Sequence, residues 1–116
     1  MAAMNPKIID DPLYKLLRAG EIEEFNQRCA EGERCDLIGM DLRGLDLRGI
    51  KAAGMDLTDC YFRQADLRGV DFSSTILEGV SLHGAKISGA YFPVELRPEE
   101  IKLSLGHGTR MRYLKK

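Results

Sequence analysis

The chain has 116 residues, which is enough for one domain with its own core and too few for two. Its formal net charge of −1 argues both against a general binder of polyanions and against a strongly acidic surface. The charge is unevenly placed, because residues 95–116 carry six basic and three acidic groups, whereas residues 1–34 and 35–94 each carry a net charge of −2.

The chain starts without the basic and then apolar segments of an export signal, and no window approaches about 18 uninterrupted apolar residues. We therefore expect a cytoplasmic protein that makes no use of a membrane. Three cysteines, Cys29, Cys35 and Cys60, are an odd number in such a chain, so they are interpreted as reduced thiols rather than as a disulfide framework.

Residues 11–32 are predicted to form a pair of short helices. Asp11 can cap the first helix, Pro12 suits its first turn and Gly20 ends it. The second helix, over residues 21–30, carries acids in its first turn, where the helix dipole favours negative charge. Each helix has one apolar stripe, formed by Leu13, Leu16 and Leu17 in the first and by Ile22, Phe25 and Cys29 in the second. Because helices this short are marginal alone, we expect residues 1–34 to cap the segment that follows, with docking of a partner protein as the alternative.

Residues 35–94 repeat every five residues, and an apolar residue returns at the central position i of each repeat. Position i−2 is apolar in all repeats except at Thr75, position i−1 is often Asp, and position i+2 is Gly in eight of the twelve repeats. The central residues are Leu37, Leu42, Leu47, Ala52, Leu57, Phe62, Leu67, Phe72, Leu77, Leu82, Ile87 and Phe92.

This period fits neither a helix nor a flat strand. Five residues rotate a helical side chain by roughly 140°, and in a strand they put successive side chains on opposite faces. Within one repeat, however, positions i−2 and i can point the same way from a short extended piece, and i+1 and i+2 can then turn the chain, which suits glycine. The pattern predicts a chain that winds in short extended edges around a narrow apolar axis, where stacked neighbours bury what a single turn cannot.

Residues 65–69 (Ala-Asp-Leu-Arg-Gly) and 40–44 (Met-Asp-Leu-Arg-Gly) resemble the pentapeptide-repeat family, whose consensus is A(D/N)LxX. The resemblance covers residues 35–94 and implies an all-β solenoid, namely a right-handed quadrilateral β-helix with four repeats per coil and hence about three coils. Ala52 is smaller than the family's central residue, and several i−2 residues are larger than its usual Ala. The large residues are Met40, Leu45, Ile50 and Met55, and they either fill the space left by Ala52 or widen the end that meets a cap.

Residues 95–116 are predicted to hold a short capping helix and a basic tail. Pro98 suits the first turn, two glutamates follow it, and Gly106 is the expected stop. Ile101 and Leu105 form the apolar stripe that would close the second end of the solenoid. The tail contains Arg110, Arg112, Lys115 and Lys116 without an acid, and it is either frayed and solvated or in contact with a second subunit or an anionic partner.

The chain lacks the motifs of catalysis. It has no phosphate-binding loop, no His-Glu-x-x-His and no Gly-x-Ser-x-Gly. Neither of its two histidines, His83 and His107, can be assigned as the base that activates a nucleophile. The spaced aspartates face different directions around the predicted coil, so they do not converge on a cation. We expect neither an enzyme nor a cofactor or metal site.

Stacking of residues 20 apart, at the strand spacing of about 4.8 Å, would create columns of side chains. Position i+1 gives one column of Arg43, Arg63 and His83 and another of Arg48 and Arg68, and position i−1 gives the companion columns Asp41, Tyr61, Ser81 and Asp46, Asp66, Lys86. The candidate interaction surface comprises these i+1 residues and the tail residues Arg110, Arg112 and Tyr113. This surface is either a solvated mixed-charge face, on which aspartates offset the arginines, or an edge that recognises an acidic partner.

Two functions compete for this sequence. The first is a non-catalytic interaction or scaffold module that binds an unknown protein partner. The second comes from the resemblance, since well-understood pentapeptide-repeat proteins imitate DNA and protect DNA gyrase or a related type II topoisomerase. Three coils span about 14 Å, over which duplex DNA would carry about eight negative charges, whereas residues 35–94 carry a net charge of −2. Direct binding of nucleic acid is not expected, because the tail lacks aromatic residues interleaved on a basic patch.

The C-terminal end of the predicted solenoid has less cover than the N-terminal end. Its backbone groups and apolar side chains must be covered by a cap or by another copy of the chain. We therefore also expect a two-fold homodimer in which the C-terminal segments pack together.

Overall fold

The computed structural model describes residues 8–114, with two helices before the repeats and one after them. Helix α1 spans Pro12–Arg18, α2 spans Ile22–Ala30 and α3 spans Pro98–His107. Within the described range, none of these helices has the length and apolar character needed to cross a membrane. Lys115 and Lys116, assigned above to the basic tail, lie outside the described residues, as do residues 1–7.

The two N-terminal helices lie where the local sequence predicts, except that α2 begins one residue later than expected. The Asp11 carboxylate accepts hydrogen bonds from the backbone N–H groups of Leu13 at 2.8 Å and Tyr14 at 3.3 Å, which caps α1. Gly20, between the helices, has a φ of 78°. Helix α2 starts at Ile22 after Glu21, whose side chain makes no capping bond.

Helix α3 is longer than predicted. The sequence predicts an end at Gly106, but the helix continues through His107. The left-handed residue that ends it is Gly108, which has a φ of 73° and donates its N–H to the Ser104 carbonyl at 2.8 Å. Two glycines lie close together here, and only the backbone geometry shows which of them leaves the helix.

Between the helices the chain returns to its own side every 20 residues. Six isolated parallel bridges join residues 20 apart, and they are Asp41–Tyr61, Asp46–Asp66, Asp56–Ile76, Tyr61–Ser81, Asp66–Lys86 and Asp71–Tyr91. We call residues 35–54, 55–74 and 75–94 coils 1, 2 and 3, and the four bridging positions of each coil its first to fourth sides. The columns predicted at position i−1 are thereby confirmed.

The parallel stacking agrees with the expected all-β solenoid, but the strand content does not. Each parallel bridge is a single pair of residues, and no continuous strand or sheet forms among residues 8–114. The reason is geometric, because a corner every five residues leaves too short an edge for successive bridges. Three backbone bonds on the third side show the pattern, in which Leu67 N–H donates to the Lys86 carbonyl at 2.8 Å, Lys86 N–H to Ala65 at 2.9 Å and Gly69 N–H to Ser88 at 2.9 Å.

The predicted inward positions form the core. The central residues from Leu37 to Leu82 are all buried. Phe72 packs between Phe62 and Phe92, with ring centroids 6.2 Å away on each side. Thr75, the polar exception at position i−2, is also buried, and its hydroxyl donates to the Ala52 carbonyl at 2.7 Å. An inward hydroxyl is therefore tolerated because its hydrogen bond is made inside the coil.

Most corners of the coils have a left-handed backbone at position i+2. All eight glycines at position i+2 have positive φ, and so do Asp59 at 61° and Gln64 at 60°, which occupy the same position in two repeats without glycine. The conformation is therefore not confined to glycine, although Ser74 and Val94, at the same position of the two remaining repeats, do not adopt it. Glycine prevails because other residues pay a steric cost there.

Polar side chains of the N-terminal helices bind the exposed edge of coil 1. The Asn26 side chain of α2 donates to the Gly49 carbonyl at 2.9 Å and accepts from the Lys51 N–H at 3.0 Å. The Tyr14 hydroxyl of α1 donates to the Asp41 carbonyl at 2.7 Å. The helices therefore cover the end of the stack with hydrogen bonds as well as with the apolar stripes that the sequence indicates.

We predict that Leu67→Ala destabilises the protein by roughly 2–5 kcal/mol, because Leu67 is fully buried between the coils above and below it. Arg68→Ala, at the neighbouring outward position, should cost much less, because its ion pair with Asp66 is exposed to solvent. Urea unfolding of both variants measures the difference. Equal losses would contradict the inward and outward assignments.

A set of glycine substitutions separates backbone strain from steric clash. Gly69→Ala should cost about 1–2 kcal/mol from strain alone, since φ is 74° and a Cβ there would meet nothing within 4 Å. Gly79→Ala should cost more, because its Cβ would clash with the carboxylate of Asp59, which would have to move from its place beside Arg110. Gly106→Ala, inside α3 and facing open space, should instead stabilise the protein by roughly 0.5–1 kcal/mol. Thermal melting ranks the three, and any other order would contradict this account.

Candidate interaction surface

The third side carries a connected row of arginines and aspartates. Within one repeat, Arg48 binds Asp46 through two bonds, Nε to Oδ1 at 2.9 Å and Nη2 to Oδ2 at 2.7 Å. Arg68 binds Asp66 in the same way, at 2.9 and 2.7 Å. The coils are joined by a contact of 3.4 Å between Arg48 Nε and Asp66 Oδ2. The row therefore alternates in sign both along and across the coils.

The repeat itself sets this geometry. The carboxylate at position i−1 turns back over the corner to accept the backbone N–H of position i+1, as Asp66 does from Arg68 at 3.3 Å. The arginine at i+1 then lies beside the same carboxylate and closes a bidentate pair. An Asp and an Arg two residues apart are thus sufficient to hold both side chains.

These pairs hold the aspartates in their charged form. Hydrogen bonding to Arg68 lowers the pKa of Asp66 to about 2. Hydrogen bonding to Arg48 and to Arg43 likewise lowers the pKa values of Asp46 and Asp41. Each of these arginines therefore presents a neutralised pair to solvent and not a free positive charge.

The second side holds Arg43, Arg63 and His83 in the predicted column, but the three differ. Arg43 is tied to the buried Asp41 at 2.8 Å. Arg63 is exposed and makes no ion pair with any residue in the range 8–114. His83 is half-buried beside Gly108 at the end of α3, where its Nδ1 is buried and lacks a hydrogen bond within the described structure.

Arg110 of the tail joins the second side from above. Its guanidinium stacks on Tyr61, with 4.9 Å from Cζ to the ring centroid, and donates to the Tyr61 hydroxyl at 2.5 Å. It also donates to the Gly79 carbonyl at 2.9 Å and lies 3.5 Å from Oδ1 of Asp59. Arg110 is thus engaged with its own chain.

The tail is packed and not frayed, so that interpretation of the sequence is wrong for residues 108–114. Arg110 forms an antiparallel bridge with Ser81, and Met111 is fully buried. The Tyr113 hydroxyl accepts from the Leu77 N–H at 2.8 Å, and the Arg112 N–H donates to Glu100 at 2.8 Å. The tail therefore covers part of the C-terminal end of the stack, for which the sequence indicated little cover. The homodimer inferred from that lack of cover stays a prediction.

The structure divides the predicted surface into three groups. Arg43, Arg63, His83 and Arg110 share the second side, Arg48 and Arg68 lie on the third, and Arg112 and Tyr113 lie over the first. The sequence missed the contacts between tail and coils, although the alternation of Met111 and Tyr113 with arginines was a signal for an extended segment. No single basic edge results from this division.

The chain offers little for thiol or metal chemistry. Cys29 and Cys35 are free and line a cleft of about 520 Å³ between α2 and coil 1. Burial raises the pKa of Cys35 and of Cys60 to about 12, so both remain protonated and weakly nucleophilic at neutral pH. Over residues 8–114, no three His, Cys, Asp or Glu side chains are grouped so that they could hold a metal ion.

We predict that Arg68→Gln raises the pKa of Asp66 from about 2 towards its ordinary value of 3.8. Because the folded-state pKa is depressed, the pair stabilises the wild type above about pH 4, and this stabilisation is lost as the pH falls towards 2. Carboxyl-carbon NMR titration measures the shift. Arg63→Gln is the matched control, and an equal change in that variant would contradict the assigned pair.

A family model for pentapeptide repeats matches residues 56–92, with eight copies of the repeat. No curated protein and no solved structure matches the chain. The matched range begins after the large i−2 residues at the start of the repeats. Coil 1 is nevertheless joined to coil 2 by the same kind of backbone bond that joins coil 2 to coil 3, for example from the Leu47 N–H to the Asp66 carbonyl at 2.9 Å. Residues 56–92 of this protein are therefore pentapeptide repeats.

Proposed function

We propose that this protein is a non-catalytic interaction module, built on a right-handed quadrilateral β-helix of about three coils, with helices over its N-terminal end and with α3 and the tail over part of its C-terminal end. The family match and the parallel return every 20 residues support this architecture. The match also favours a repeat protein that presents side chains over one that carries out chemistry.

The observation that carries the proposal is the row of Asp–Arg pairs on the third side. Arg48, Asp66 and Arg68 are exposed or half-exposed, yet each is held by two or more polar contacts. Side chains that are already ordered lose little conformational entropy when a partner binds. The alternating signs favour a protein surface of complementary alternation over a uniformly acidic partner.

Affinity capture followed by calorimetry with the purified partner tests this proposal. We expect the full chain to bind a protein directly and the Arg48→Gln/Arg68→Gln variant to bind it roughly tenfold more weakly. The matched control is Lys51→Gln/Lys102→Gln, which removes two exposed cations outside the row and should bind as the wild type does. Thermal melting of each variant checks that the fold is kept.

Two results would count against the proposal. The first is a partner that binds the row variant and the wild type equally well. The second is the absence of any directly bound protein. Truncation of the tail is not a suitable test, because Met111 and Tyr113 support coil 3.

The alternative is a DNA mimic that protects gyrase, and the paired charges of the second and third sides weigh against it. Asp41, Asp46 and Asp66 are neutralised by arginines of their own repeats, so the second and third sides lack a row of uncompensated negative charge. We predict that stoichiometric protein does not rescue gyrase from a quinolone in a supercoiling assay. Rescue would overturn this prediction and make mimicry the preferred function.

A further inference from the structure

The third side of coil 3, residues 85–89, ends the stack with unpaired backbone groups. The N–H groups of Ile87 and Gly89 and the carbonyl of Ala85 have no hydrogen-bond partner within residues 8–114. The equivalent groups one coil earlier, on residues 65, 67 and 69, are all bonded to coil 3. We call these three groups of coil 3 the open edge.

Side-chain burial shows the same gap. Ala65 and Leu67 are fully buried, with 0% exposure, whereas Ala85 and Ile87, at the same positions of the next coil, are only partly buried. A Cβ built on Gly89 would meet only Gly69 below it within 4 Å. The inward side chains of this side are therefore covered less completely than those one coil earlier.

The first and second edges of coil 3 show what such an end can accept. On the first and second sides the tail lies along it as an extended segment, with Met111 N–H donating to Val80 at 2.9 Å and Gly79 N–H donating to Met111 at 2.7 Å. The side chain of Met111 is then fully buried. An extended segment with an inward apolar residue is thus the cover that this chain uses for its own edge.

The charge of Lys86 favours an acidic residue in any segment that lies over it. Lys86 is bridged to Asp66 below it, but Asp66 already pairs with Arg48 and Arg68. Lys86 is exposed and has no ion pair with another residue of the described chain. An acidic residue in the next rung would face it directly.

We propose that the open edge binds an extended segment of a partner protein by strand addition, and that this segment carries a small apolar residue, an acidic residue over Lys86 and a larger apolar residue over Ile87. This inference rests on the proposed interaction function and names one surface and one partner chemistry for it. A second copy paired across the same edge about a two-fold axis would place two Lys86 amines in one rung, which like-charge repulsion opposes.

The probe is a capped peptide with the sequence Gln-Ala-Asp-Leu-Arg-Gly, which copies residues 64–69. It is titrated into the full chain labelled with nitrogen-15. We expect saturable shifts of the Ile87 and Gly89 amide signals, because both N–H groups gain an acceptor. The signal of Met111 should not move, since the tail stays in place.

Two matched peptides and two protein variants sharpen the test. N-methylation at the Asp of the peptide removes the N–H that would donate to Ala85 and should abolish the shifts. Exchange of that Asp for Lys should weaken binding roughly two- to fivefold, and this preference should vanish in Lys86→Gln. Lys51→Gln, at the same position of the repeat in coil 1, should keep it.

Three outcomes would overturn the inference. These are no saturable shift at Ile87 and Gly89, equal shifts with the N-methylated peptide, and self-association of the protein alone that protects both amides from exchange. None of these outcomes changes the expected effect of Arg48→Gln/Arg68→Gln on partner binding. The proposal for the open edge can therefore be wrong while the proposed interaction function is right. Conversely, if the peptide binds and Arg48→Gln/Arg68→Gln leaves partner binding unchanged, the partner site lies at the end of the stack and not on the arginine row.

Discussion

Backbone hydrogen bonding between residues 20 apart is the constraint on which the rest of this structure depends. A stack held in this way always ends in two rows of unpaired N–H and C=O groups, and leaving such groups buried without partners is costly. The helices and the tail are largely solutions to that problem. Asn26 and Tyr14 bind the edge of coil 1, and the buried Ser104 accepts from the Leu82 N–H at 2.8 Å at the other end. The caps therefore act through polar side chains as much as through apolar ones.

The same repeat that builds the core also pairs opposite charges. An Asp at i−1 and an Arg at i+1 are brought together by the corner, so Asp46, Asp66 and their arginines pair within their own repeats. Asp36, Asp56 and Asp71 have no arginine in their own repeats, so only the faces that carry these pairs present little net field. Such faces suit recognition by a complementary pattern of charges. They do not suit the long-range attraction that a uniformly acidic or basic surface provides.

The two ends of the stack are closed to different extents. At the C-terminal end the tail runs antiparallel over the first and second sides, whereas the coils themselves pair in parallel, so the tail is an added segment and not a fourth coil. It leaves Ile87 half-exposed on the third side. Ala85 and Ile87 of the third side therefore lack the layer that buries Ala65 and Leu67 one coil earlier, and Ala90 and Phe92 of the fourth side are also only partly buried.

The sequence by itself determined the positions of the repeat, the inward and outward residues, the columns 20 apart and the starts of α1 and α3. Those features follow from strictly local rules, namely a five-residue period, glycine at the corner and proline in the first turn. Tertiary structure decided the rest: that α3 ends at Gly108, that Arg110 stacks on Tyr61 and that the tail is packed. These depend on contacts between residues far apart in the chain, such as the 49 positions between Tyr61 and Arg110, and no local pattern specifies them. The candidate surface was therefore predictable in its columns but not in its pairing, because a column shows which side chains are neighbours and not which of them remain free to bind.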